Sequence, residues 1–171
     1  MRKYLVLALA VLLVFGLGSV ALAVNTAEQE VTITVNEIME IAVSDNPGAL
    51  IIDTATAGAP PTADLDDSTY ALYTSVVSTD ETRTITAAID AIPAGLELKL
   101  EAAPPTDCGT TAGAVALTTT AASIIENIGS CATGTETGAN LTYTLSVTDV
   151  TKLVADTTNV TVTLTLTDAA A

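Results

Sequence analysis

Asp64, Asp66 and Asp67, followed by Ser68, form the densest group of ligand-type oxygens in the chain. Hard cations such as Ca²⁺ take several carboxylate and carbonyl oxygens from one loop, and the group follows Pro60-Pro61 in a stretch that reads as a loop. It lacks the glycine and the closing glutamate of an EF-hand. A solvated acidic loop that binds Ca²⁺ at most weakly is therefore expected, with no resident metal or cofactor. Cys108 and Cys131 are the only cysteines. In an oxidising compartment an even pair reads as one disulfide; it closes a loop of roughly 24 residues, which is worth on the order of 3 kcal/mol.

The chain has no histidine, which removes Ser-His-Asp triads, Cys-His pairs and His-based metal sites. Two carboxylates are enough for glycoside hydrolysis. Carbohydrate sites, however, are usually built on aromatic platforms, and beyond the leader only Tyr70, Tyr73 and Tyr143 are aromatic. No catalytic residue is assigned, and the chain is not expected to be an enzyme. Asn140-Leu141-Thr142 and Asn159-Val160-Thr161 match the glycosylation sequon, a match that arises readily in a threonine-rich chain. Lys99 lies between Glu97 and Glu101 on the wet side of its segment, where it relieves acidic charge.

The N-terminus sets the compartment. Arg2 and Lys3 precede an apolar stretch from Leu5 to Leu17 that ends in Ala21-Leu22-Ala23, and these are the three parts of a secretory signal peptide. Residues 1–23 read as that leader, with cleavage after Ala23. A retained anchor is the alternative, because the stretch from Tyr4 to Val24 is almost long enough to span a bilayer. The small residues at its end and Asn25 immediately after favour cleavage. Secretion to the exterior or the cell surface follows, with no membrane insertion after cleavage.

Charge narrows the partners. The full chain carries 5 basic and 20 acidic residues, a net charge of −15. Removing Arg2 and Lys3 leaves 3 against 20, which is −17. A phosphate backbone needs a basic surface to displace its counterions, so no nucleic-acid partner is expected. Anionic lipid is disfavoured for the same reason.

The elements that must position these residues are strands. Threonine alternates with Val, Leu or Ile wherever the chain looks regular, the period-two pattern of strands with one dry and one wet face. The pattern is clearest at Leu96–Glu101, Leu141–Val147 and Val160–Leu166. It also predicts strands at Val31–Val35, Leu50–Thr54, Tyr70–Val77 and Thr82–Ile89, with weaker ones at 114–118 and 123–128. At Asn36-Glu37 the phase breaks before Ile38, Ile41 and Val43, as at a bulge or a change of sheet. Turn signals fall at Asp45-Asn46-Pro47-Gly48, Pro93-Ala94-Gly95, Pro104-Pro105 and 134–138. One helical turn is predicted near Thr151–Ala155. The fold class is all-β, an Ig-like or jelly-roll-type sandwich of about 7–10 antiparallel strands, with residues 36–171 as the sandwich domain and residues 24–35 as a separate N-terminal strand.

A signal peptide, a polar leader Val24 to Glu30, the alternating strand Val31, Ile33 and Val35, and a Val/Thr-rich sandwich with one cysteine pair together resemble the secreted pilus and biofilm-fibre subunits that assemble by donor-strand complementation, as in chaperone–usher pilins and TasA-like fibre proteins. The cysteines fall later in this chain than in chaperone–usher pilins. The resemblance implies a homopolymer in which residues 24–35 are donated to a neighbouring subunit. A monomeric secreted or envelope adhesive or ligand-binding module is the alternative, because an intramolecular strand carries the same alternation.

Overall fold

A computed structural model describes residues 26–169. The expected leader, residues 1–23, lies outside the described residues. The chain divides into two compact units, residues 1–34 and 35–171, and every strand described below belongs to the second.

Ten antiparallel strands build that unit as two sheets. The first strands are β1 (Ile38–Val43), β2 (Asp64–Val76), β3 (Arg83–Ile89), β4 (Leu96–Ala103) and β5 (Thr110–Thr111). The others are β6 (Val115–Ala116), β7 (Ala122–Ile128), β8 (Cys131–Ala132), β9 (Ala139–Val147) and β10 (Val162–Asp168). One sheet runs in the order β1-β2-β9-β4-β6, with β8 also paired to β2; the other runs β10-β3-β7-β5. From β2 to β8 each successive strand lies in the opposite sheet, so the chain laces the two layers together. The expected all-β sandwich is what the chain forms.

The core follows from alternation. In β3, Arg83, Ile85, Ala87 and Ile89 are buried while Thr84, Thr86 and Ala88 between them are half-buried. In β9, Ala139, Leu141 and Tyr143 point inward. Leu98, Leu100 and Ala102 of β4 join Ile124, Ile125 and Ile128 of β7 in one cluster. Small residues at the centre, Ala71, Ala87, Ala102 and Ala139, are fully buried and let the layers approach without any tryptophan.

Several expectations are corrected. Val31–Val35 and Leu50–Thr54 carry no strand. The second segment belongs to the loop between β1 and β2, closed by Thr62 N–H donating to the Thr54 carbonyl at 2.9 Å, and it contributes Leu50 to the core edge. Strand β2 begins at Asp64, not near Tyr70, because Asp64, Leu65 and Asp66 pair with Leu145, Thr144 and Tyr143 of β9. The weak strand at 114–118 shrinks to two residues. The helical turn lies at Val150–Lys152, capped by the Asp149 carboxylate, which accepts from Thr151 N–H.

Candidate assembly surface

Arg83 is the most unusual side chain of the sandwich. It is only 2% exposed, and it takes the inward phase of β3. Desolvating a guanidinium is tolerable only when its donors are matched. Nε donates to Asp168 Oδ1 at 3.1 Å and Nη2 to Glu37 Oε2 at 3.3 Å. Nη1 donates to the carbonyls of Ile38 and Val76 and to Ser75 Oγ. One residue thus joins the start of β1, the end of β2 and the end of β10. Glu37 also accepts from Ser78 Oγ at 2.6 Å. The predicted phase break at Asn36-Glu37 is where this clasp grips the chain and β1 begins.

Beside the clasp, the facing edges of the two sheets are β1 and β10, which border each other. Directly opposed residues of an antiparallel pair share a face. Met39, Ile41 and Val43 oppose Ser75, Tyr73 and Ala71, all buried, so these three point toward the core side. Yet Met39 is 41% and Val43 51% exposed. On the other edge, Val162 and Leu164 oppose the buried Ile89 and Ala87 and are themselves only partly covered. The seam between the edges therefore shows an incompletely covered apolar row on both sides.

The predicted assembly residues Val31, Ile33 and Val35 are 70%, 84% and 75% exposed, and residues 26–37 pair in neither sheet. Three apolar, β-branched side chains in alternation, all left in water, are a surface without its partner among the described residues.

The acidic group lies within β2 and not in a loop, which corrects the expectation. Its three members do separate work. Asp64 accepts from Ile51 N–H at 2.7 Å and so ties down the β1–β2 loop. Between Asp66 and Thr69 the register with β9 slips by a residue, a β-bulge. Asp66 closes it by accepting from Ser68 Oγ at 2.8 Å and Ser68 N–H at 3.2 Å, bonds that hold its carboxyl below the usual range. The Asp67 carbonyl accepts from Asn140 Nδ2 at 2.7 Å. No group of three metal-type ligands occurs among the described residues. The sequon residue Asn140 is thereby engaged in the bulge, whereas Asn159 is exposed.

Cys108 and Cys131 are free thiols in this structure, the first buried and the second half-buried, so the expected S–S bond is not formed here. Burial pushes the Cys131 thiol up to about 12, and Cys108 beside it adds to the shift. Burial likewise raises the Tyr73 phenol well above its ordinary value; its hydroxyl donates to the Cys108 carbonyl at 2.5 Å. A thiol so hard to ionise is a poor nucleophile and metal ligand. Lys99 meets Glu97 at 3.0 Å, the charge relief that its position suggested.

A shallow groove on the outer side of β1 and β2 is lined by Ala42, Leu72, Thr74 and Gly134, with Glu40 its one charged group. Sequence reasoning missed Arg83. The signal was present: an arginine in phase with Ile85, Ala87 and Ile89 puts a charge on a dry face. No helix among the described residues is long and apolar enough to cross a membrane. The chain matches no family model, no curated protein and no solved structure.

Proposed function

We propose that this chain is an extracellular structural protein, the subunit of a pilus-like or biofilm fibre that polymerises by donating its N-terminal strand. The observation that carries the reading is the state of Val31, Ile33 and Val35: an alternating apolar segment, 70–84% exposed and paired in neither sheet, placed immediately ahead of a folded sandwich. A strand in this condition satisfies an open sheet edge of another copy through its backbone and fills a groove with alternate side chains. Such a contact is heterologous and does not close, so it propagates as a filament. The leader at residues 1–23 supplies export, and the cysteine pair supplies a disulfide once the chain reaches an oxidising compartment.

Electron microscopy of the mature protein tests the reading, with two variants as controls. Ile33→Asp places a carboxylate on the dry face of the donated strand and abolishes fibres while monomers are still secreted. Thr32→Asp, on the opposite face, leaves fibres largely intact. Equal fibre formation by both variants, or a wild-type protein that stays monomeric at high concentration, overturns it.

A further inference from the structure

We infer that the acceptor for the donated strand is the seam between β1 and β10, and that Val31–Val35 of a second copy lies along the free edge of β10 with its apolar side chains turned into the seam. This assignment rests on the proposed donation and adds to it the site on the neighbouring subunit.

The free strand edges decide among candidates. The two sheets end in β1, β6, β10 and β5. Both β5 and β6 are two residues long, too short to template a five-residue strand. Only β1 and β10 offer length, and they face the same seam. At β10 the backbone groups of Val162–Asp168 on the side away from β3 have no strand partner among the described residues. At β1 the Ile38 carbonyl is already taken by Arg83. The edge with no backbone group already engaged among the described residues is therefore that of β10.

Side-chain pattern agrees with this. Along β10, Thr163, Thr165 and Thr167 face outward and are exposed, while Val162, Leu164 and Leu166 face inward. The donated segment has the same composition and period, Thr32 and Thr34 alternating with Val31, Ile33 and Val35. Laid alongside in phase, it extends a threonine row on the wet face and an apolar row on the dry one, the kinds of cross-strand neighbour that stabilise a sheet. The apolar row then meets Met39, Ile41 and Val43 of β1 from the other side, covering Met39 and Val43, which point coreward but are exposed, and completing the partial cover of Ile41.

The donor comes from another copy because of the clasp. Only Asn36 and Glu37 separate Val35 from Ile38, so a strand laid back beside β1 of the same chain needs a two-residue reversal. Such reversals want left-handed backbone at their central residues, hence Asn-Gly or Asp-Gly. Neither Asn36 nor Glu37 is left-handed, and Glu37 is held by Arg83 and Ser78.

Two complementary variants test the acceptor in the mature full-length chain. Val43→Glu puts a carboxylate in the seam; since Val43 is 51% exposed, the monomer keeps that charge hydrated and folds, and only strand seating desolvates it. Circular dichroism checks the fold, and Leu164→Glu repeats the test from β10. Each seam variant still donates but no longer accepts, while Ile33→Asp accepts but no longer donates. The expected result is that neither forms fibres alone and that an equimolar mixture gives a dimer by light scattering, one junction with both ends capped. If folded Val43→Glu and Leu164→Glu polymerise like wild type while Ile33→Asp does not, the seam assignment is wrong and donation stands. If Ile33→Asp also polymerises, donation itself fails. Folded variants that stay monomeric when mixed likewise refute the seam.

Discussion

Replacing Arg83 with methionine removes five donors and a charge while keeping most of the side-chain stem, so the loss measures the clasp and not a large cavity. Glu37 and Asp168 are 50% and 77% exposed and rehydrate once the arginine is gone. The cost comes instead from Ser75 Oγ, which is fully buried, and the Val76 carbonyl beside it. Each buried polar atom left unpartnered costs about 1–3 kcal/mol, so Arg83→Met loses about 3 kcal/mol, a drop in Tm of roughly 10 °C for a domain of this size. Arg83→Lys keeps the charge but replaces a planar fork with one ammonium group, and it falls between. Glu37→Gln, whose partner carboxylate is half in water, loses less than about 1 kcal/mol. Urea unfolding followed by circular dichroism at pH 7 gives all three, and hydrogen exchange locates the effect, since the amides of β1 should lose protection first. A loss below about 0.5 kcal/mol for Arg83→Met, or a Glu37→Gln loss as large as it, refutes the view that a buried guanidinium fastens β1 to β10.

Acid should weaken the fold through a few identifiable carboxylates. The Asp90 carboxyl is held low by the backbone N–H groups of Thr161 and Ala91, and Asp149 by the Thr151 hydroxyl and Lys152. A depressed folded value means stabilisation present above the unfolded value of about 3.9 and lost as pH falls through the folded one. The gap in urea midpoint between wild type and Asp90→Asn should therefore be constant from pH 7 to 5 and shrink below pH 4; a gap that widens with acid contradicts this. The cysteines give a separate check. The secreted protein, unfolded without reductant, should take up no iodoacetamide at Cys108 or Cys131 and should label at both after reduction; two labelled thiols without reductant refute the disulfide.

Alternation in the sequence identifies the dry and wet faces of β4, β9 and β10, because a sandwich strand must bury every second side chain. It does not identify the partner. Val31–Val35 reads the same as Val162–Leu166, yet one is unpaired and the other is built into a sheet, since register and pairing depend on the rest of the chain. The start of β2 was hidden for a related reason. Three aspartates within four positions look like a loop, and only pairing with β9, plus a bulge that Asp66 and Ser68 close, turns them into strand. Arg83 shows a local rule broken at a place of consequence: a charge in apolar phase proves to be the fastener of three strands. The disulfide between Cys108 and Cys131 was suggested by their even count alone, and the structure holds both as free thiols, one buried and one half-buried.

Magnitudes show what the proposed strand donation would require of the seam. Fully covering Val31, Ile33 and Val35 gains about 1.5–3 kcal/mol per side chain, or about 6 kcal/mol together. Ordering the five backbone residues costs about 1–2 kcal/mol each, so the strand's own burial does no better than offset its entropy. Association adds a further cost for lost rotation and translation, and an acidic surface adds repulsion between copies. A flat, polar sheet edge therefore cannot hold this strand. What tips the balance is apolar surface already waiting on the other side: Met39, Ile41 and Val43 on β1 and Val162 and Leu164 on β10, each partly exposed although each faces coreward. Covering what is still exposed of them adds a further, smaller gain at the same junction with no further chain to order. Backbone bonds along β10 then supply direction and register. On these numbers the proposed donor strand needs apolar surface beyond its own to stay seated, and the seam between β1 and β10 supplies it.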